Sequence, residues 1–234
     1  AVAAAAILLY RDTLNYSLTW DDPIMVSEPP GAAPLRDWPI AFTKPVDRLY
    51  RPIRTISFMA DNASGMPRPR VYHATNLLLY AAVCALYFLF ARRAAGGAPA
   101  PALAAALLFA AHPLHSEVVA SVSNGRADLL CAAFLFAALL AADGADRPAR
   151  RALAILFFIL ALLSKESAAA GSVLIALGIY ASQSAGRVPR DSAIRAATKA
   201  FFVFLVPTAA YLAIRLTALN IAGQVSGWHG GGPL

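Results

Sequence analysis

Charge is what this sequence has least of. Asp, Glu, Lys and Arg make up 14% of its 234 residues, against 59% hydrophobic ones, whereas a soluble domain carries about 25% charge. So little charge cannot cover a water-facing surface, which excludes an ordinary soluble globular domain. Cysteine is almost absent too. Cys84 and Cys131 both fall inside apolar runs and form no CxxC pair, so they read as buried thiols and not as a disulfide framework or a thiolate metal centre. Also missing is any uninterrupted apolar run of about 20 residues, the length that crosses a bilayer core. No methionine opens the chain, and its first apolar run, residues 1–10, is too short to span; we expect the tail of a helix truncated at its start.

In place of one long run there are six shorter ones, at residues 74–91, 98–111, 129–142, 152–163, 168–181 and 200–214. With their polar flanks all six reach a workable length. The expected fold class is therefore all-α: a polytopic integral membrane bundle forming one domain. Residues 1–10 end helix one, 11–70 form a long extracytoplasmic loop, 71–217 hold helices two to seven, and 218–234 form a glycine-rich extracytoplasmic segment.

A net charge of +7 raises nucleic acid as a partner, but the basic residues follow topology instead. Arg92 and Arg93, then Arg147, Arg150 and Arg151, then Arg187, Arg190, Arg195 and Lys199 fall in three alternate connections, while the opposite short connections and the C-terminal flank hold Arg126, Lys165 and Arg215. Lys/Arg-rich short loops stay in the cytoplasm, so the second set, with residues 11–70, is expected outside. Nucleic acid then has no support.

The ionisable groups gather at that outer end. His112, His115, Glu117, Arg126 and Asp128 lie between two apolar runs; His73 and Asn76 share a face at i, i+3; Lys165 and Glu166 occupy the turn of "LLSKESAA". Run 152–163 is only twelve residues, about 18 Å of helix against a core of about 30 Å, so Lys165 and Glu166 are expected below the outer surface, where ionisable groups mark function. Each has a plainer reading. Lys165 snorkels, Asp128 sits in a helix's first turn, His73 and Asn76 join helices, and His112, His115 and Glu117 form a hydrogen-bonded helix end before they form a divalent-cation site.

The loop 11–70 reads as a folded cap, with Trp20, Trp38, Phe42, Tyr50 and Phe58 interleaved with prolines. In "LTWDDPIMV", Asp21 and Asp22 are adjacent and cannot point the same way; one suits a site and the other a helix cap. In "YRPIRTISF", Arg51 and Arg54 share a face if helical, with Pro52 at the start.

"WDDPI" (20–24), "YRPIRTISF" (50–58), "YHATNLLLY" (72–80), "FAAHPLHSEVVASVSNGRADLL" (109–130) and "LLSKES" (162–167) together resemble the transmembrane and tetratricopeptide-repeat O-mannosyltransferases and their bacterial-type relatives in the GT-C superfamily, here without the repeats. The resemblance implies a GT-C-like seven-helix module moving a sugar, typically mannose, from a polyprenyl-phosphate carrier to a hydroxyl of an acceptor protein or glycan on the periplasmic or lumenal face, in a bacterial inner membrane rather than the ER. It implies a catalytic carboxylate at Asp21, with Asp22 beside it. Arg51, Arg54, Arg126 and Lys165 are the cations for the leaving phosphate, and His73, Asn76, His112, His115, Glu117, Asp128 and Glu166 form a supporting polar cluster. No cofactor is required beyond a divalent cation as an open alternative. The rival function is a non-catalytic scaffold subunit in a larger membrane complex. A transporter fits poorly, because its charges belong near mid-helix.

Overall fold

The structure is a computed structural model, which describes residues 1–27, 30–44, 49–63, 69–142, 147–186 and 188–218. It is helical, with no strand among the described residues. In chain order the helices are α1 (Val2–Tyr10), α2 (Asp22–Ser27), α3 (Pro52–Asn62), α4 (Pro69–Ala94), α5 (Pro99–Ala110), α6 (His115–Ala120), α7 (Ser123–Ala142), α8 (Pro148–Ser164), α9 (Gly171–Ala185) and α10 (Arg190–Ala213). Each of the six apolar runs centres on one helix, from α4 and α5 through α7, α8, α9 and α10, though run 168–181 begins in the 3₁₀ turn Glu166–Ala170. The segment 219–234, including His229, lies outside the described residues, as does Arg187.

Proline and glycine set the ends. Pro52, Pro99 and Pro148 stand in the first helical turn of α3, α5 and α8, where a missing N–H costs nothing. Helix α4 stops at Gly96 and Gly97, with φ of 64° and 91°. Gly97 N donates back to Arg92 O at 2.8 Å, which satisfies a terminal carbonyl.

Helices α4 and α7, and residues 190–216 on α10, are long and apolar enough to cross a membrane. Helix α5 is not extended by its flanks as expected: it holds to 12 residues between an extended Ala98 and a non-helical Ala111, with Pro113 two positions on blocking continuation. The described part of the expected cap is helical. A 3₁₀ turn at Arg11–Asn15, α2, a second 3₁₀ segment at Leu35–Phe42 and α3 fill the loop between α1 and α4.

Helix α7 is the central post. On one side Ala138, Ala154, Phe158, Ala161, Leu162, Ile175 and Phe204 pack α7 to α10 together. On the other, Ala6, Leu77, Tyr80, Val83, Ala106, Ala110 and Leu129 join α1, α4, α5 and α7. Alanine at these crossings lets backbones approach closely, as membrane bundles require. Outward, Leu78, Leu108, Leu177 and Val206 stay exposed, an apolar surface suited to lipid. A third cluster, of Met25, Val26, Phe58, Tyr72 and Val122, seats the cap on the start of α4 and α7.

Candidate functional site

Short connections make consecutive helices antiparallel, so the starts of α4 and α7 meet the ends of α8 and α10 under the cap. At this end the polar groups sort into a cleft, a clamp and a charged cluster.

The cleft encloses about 670 Å³ between the 3₁₀ turn, the residues before α2 and the α6–α7 corner. Asp21, Asp22 and Glu117 line it with Tyr16, Trp20 and Asn124. The two aspartates divide their work as adjacency requires. Asp22 is 2% exposed; its Oδ2 accepts from Thr19 N at 3.1 Å and its Oδ1 from Ser123 N at 2.7 Å. It therefore caps α7 from the start of α2, where a carboxylate also complements the dipole of α7. Asp21 is exposed on the cleft. An exposed carboxylate on a pinned turn can accept a proton from a group bound in the cleft.

The clamp is centred on Arg126, which is fully buried. Its Nε donates to Asn76 Oδ1 at 2.5 Å, Nη1 to Ser57 Oγ at 3.1 Å, and Nη2 to Asp61 Oδ2 at 2.8 Å and Tyr72 O at 3.0 Å. The Phe58 ring lies against it, 5.1 Å from centroid to guanidinium carbon. Asn76 passes the link on, donating to Ser121 O at 2.7 Å, and Tyr72 Oη bonds Asn62 Oδ1. One side chain thus ties α3, α4 and α7. Nearby His73 is buried, with the Tyr16 ring against it at 6.2 Å.

The charged cluster surrounds the start of the 3₁₀ turn Glu166–Ala170. Arg51 grips Glu166 with two hydrogen bonds, at 2.8 and 3.1 Å. Arg215 lies 3.4 Å from the same carboxylate, and Lys165 Nζ is 2.6 Å from Asp128 Oδ1. Arg215 stands in a π-helical turn, Ile214–Ala218, a distortion common at functional sites. It also donates to Tyr211 Oη at 3.3 Å, whose ring stacks on Tyr50 at 6.4 Å. Burial would raise the Glu166 carboxyl, but the Arg51 hydrogen bonds, its own backbone and the charges of Arg51 and Arg215 hold it at about 2.

The four expected phosphate cations do not converge. Arg126 faces protein on all sides, and Arg51 and Lys165 are held by Glu166 and Asp128 respectively. Arg51 is the N-cap of α3, outside the helical face it was expected to share with the buried Arg54. Asp128 is the sixth residue of α7 and not in its first turn. His115 is drawn inward, its Nδ1 2.7 Å from Phe109 O. Burial first, and the neighbouring His112, push that imidazole below its ordinary value against the pull of the carbonyl. Among the described residues, no three His, Cys, Asp or Glu side chains gather as metal ligands. Asp61, Tyr211 and Arg215 were not singled out. For Asp61 a signal existed, because Arg54, Ser57 and Asp61 recur at three and four residues along α3.

Comparison with known proteins finds relatives by sequence. Over 148 residues the chain is 32% identical to the protein O-mannosyl-transferase TMTC2 of Mus musculus, covering 59% of the chain and 18% of that protein. The chain is related to the TMTC O-mannosyltransferases. Drosophila melanogaster Tmtc1 is 34% identical over 148 residues, 58% of the chain and 17% of its own length. Homo sapiens TMTC4 is 38% identical over 104 residues, 39% and 14%. The chain thus spans less than a fifth of these TMTC relatives. No family model matches, and no solved structure matches.

Proposed function

We propose that the chain forms the membrane catalytic module of a GT-C-type O-mannosyltransferase. It moves mannose from a polyprenyl-phosphate carrier to a hydroxyl of an acceptor protein or glycan on the extracytoplasmic face. The observation that carries this reading is the division of the aspartate pair: Asp22 locks the turn to α7 while Asp21 stands open on the cleft. Asp21 takes the acceptor's proton as the glycosidic bond to phosphate breaks. Glu117, exposed on the same cleft, orients the acceptor.

The leaving phosphate is received at the charged cluster. There Arg51, Lys165 and Arg215 face Glu166 and Asp128, which leaves one positive charge among the described residues. Arginine's fork suits phosphate oxygens. Arg126 has a different task, holding the cap against α4 and α7 so that Asp21 keeps its place. The lipid tail lies along apolar helix faces. The Arg/Lys-rich ends, where Arg93 Nη1 donates to Leu140 O at 2.6 Å, face the cytoplasm.

A scaffold reading keeps one observation in its favour: two of the three cations of the charged cluster, Arg51 and Lys165, are already matched to internal carboxylates. The deciding experiment is transfer of radiolabelled mannose from polyprenyl-phosphate mannose to a Ser/Thr peptide in proteoliposomes. The catalytic reading expects transfer, and a loss of about 10²-fold or more in Lys165→Ala. No transfer from any polyprenyl carrier would hand the lead to the scaffold.

A further inference from the structure

The turn Thr19–Asp22 is closed twice over. Asp22 N donates to Thr19 O at 3.0 Å, and Thr19 N donates to Asp22 Oδ2 at 3.1 Å. Trp20 follows Thr19 in this turn with a φ of 53°, a left-handed conformation in which an L-residue's Cβ crowds its carbonyl and which glycine enters freely. Backbone preference therefore does not explain a tryptophan here. Packing does not explain it either, because Trp20 is 95% exposed. What remains is the indole itself, held by a strained and doubly bonded turn beside Asp21 on the wall of the cleft.

The other walls define the ligand. Asn15, Ser17, Thr19, Ser121, Ser123 and Asn124 line the same space, a set of hydroxyl and amide groups, and among the described residues that line it no aliphatic side chain is larger than that of Ala120. A hexopyranose ring matches this division: its C–H face seeks an aromatic π-surface, and its hydroxyl edge seeks hydrogen-bonding partners. A membrane-interface tryptophan would have the headgroup boundary as its setting and no need of a polar cleft. We propose that Trp20 is a stacking platform that seats a hexopyranose ring over Asp21. This rests on the transferase reading only for the origin of the ring, either the lipid-linked donor or a glycan acceptor.

The test uses the full chain in nanodiscs with Trp38→Phe and Trp228→Phe, which leaves Trp20 as the lone indole of three. Methyl α-mannoside should change Trp20 emission saturably, and bare polyprenyl phosphate should not. In the transfer assay Trp20→Gly should raise KM for the sugar-bearing substrate about tenfold with kcat little changed. Trp20→Phe should retain most of the affinity. A rise confined to the polyprenyl-phosphate mannose KM identifies the donor ring, and one confined to a glycosylated acceptor identifies the acceptor ring. Because glycine relieves the turn, Trp20→Gly should unfold no earlier than wild type. An emission response without transfer would overturn the transferase reading and leave the platform standing. Unchanged emission with unchanged KM in Trp20→Gly, or quenching of Trp20 by brominated lipids with no response to mannoside, would overturn the platform.

Discussion

Asp21 and Asp22 differ by one position, and their surroundings give them opposite roles. Adjacency alone announced that they would diverge; which of them turns inward depended on Ser123, a hundred residues away. Arg126 shows the same limit more sharply. The family resemblance made it a phosphate candidate, yet its partners Asn76, Ser57, Asp61 and Tyr72 lie 50 to 69 residues away in sequence, and no local pattern joins them to it. Removing it takes away the guanidinium that faces the Asp61 carboxylate at 2.8 Å in a mostly buried site. We expect Arg126→Met to destabilise the protein by about 3–5 kcal/mol, visible as earlier thermal unfolding in detergent, with activity falling alongside.

Glu166 gives a pH prediction. Its folded value of about 2 lies below the ordinary 4.5, so the stabilisation it supplies is complete above about 4.5 and is lost as pH falls through 2. Acidification from pH 6 to 3 should lower the unfolding temperature of wild type by more than that of Glu166→Gln. An equal drop in both would place the acid sensitivity elsewhere.

The helices were readable from apolar runs because lipid demands apolar length and continuous backbone hydrogen bonding. Their lengths were less so. Proline on either flank holds α5 to 12 residues, and the cap's helix α2, of six residues, is too brief to show a period. The α6–α7 corner is a further case, where sequence showed only "SNGRADLL". A Cβ on Gly125 would fall inside the Val118 carbonyl, so glycine here serves close backbone approach and not a special φ. Gly125→Ala should therefore force α6 away from α7, disturb the Ser123 N to Asp22 bond, and cost about 1–3 kcal/mol. Wild-type thermal stability in that variant would show that the corner yields freely.

For the molecule as a whole, antiparallel helices put the polar cleft, clamp and charged cluster at one end and the Arg/Lys-rich connections at the other. The charge bias behind the proposed orientation was visible in the sequence; the packing that brings distant motifs to one end of the bundle was not. Cysteine labelling in whole cells checks the orientation, because Cys84 and Cys131 are buried while Ala94 and Asn124 are exposed. An impermeant maleimide should label Asn124→Cys and spare Ala94→Cys; the reverse pattern inverts the topology.

The central claim is that Asp21 performs chemistry on a turn that Asp22 only holds. Asp21→Asn keeps the size and hydrogen bonding of the side chain but cannot take a proton. The measurement is initial rate of mannose transfer from polyprenyl-phosphate mannose, with unfolding temperature recorded on the same samples. The account predicts a loss of about 10²–10⁴-fold in rate at unchanged unfolding temperature for Asp21→Asn, and an earlier unfolding temperature for Asp22→Ala. Transfer by Asp21→Asn at the wild-type rate would contradict it.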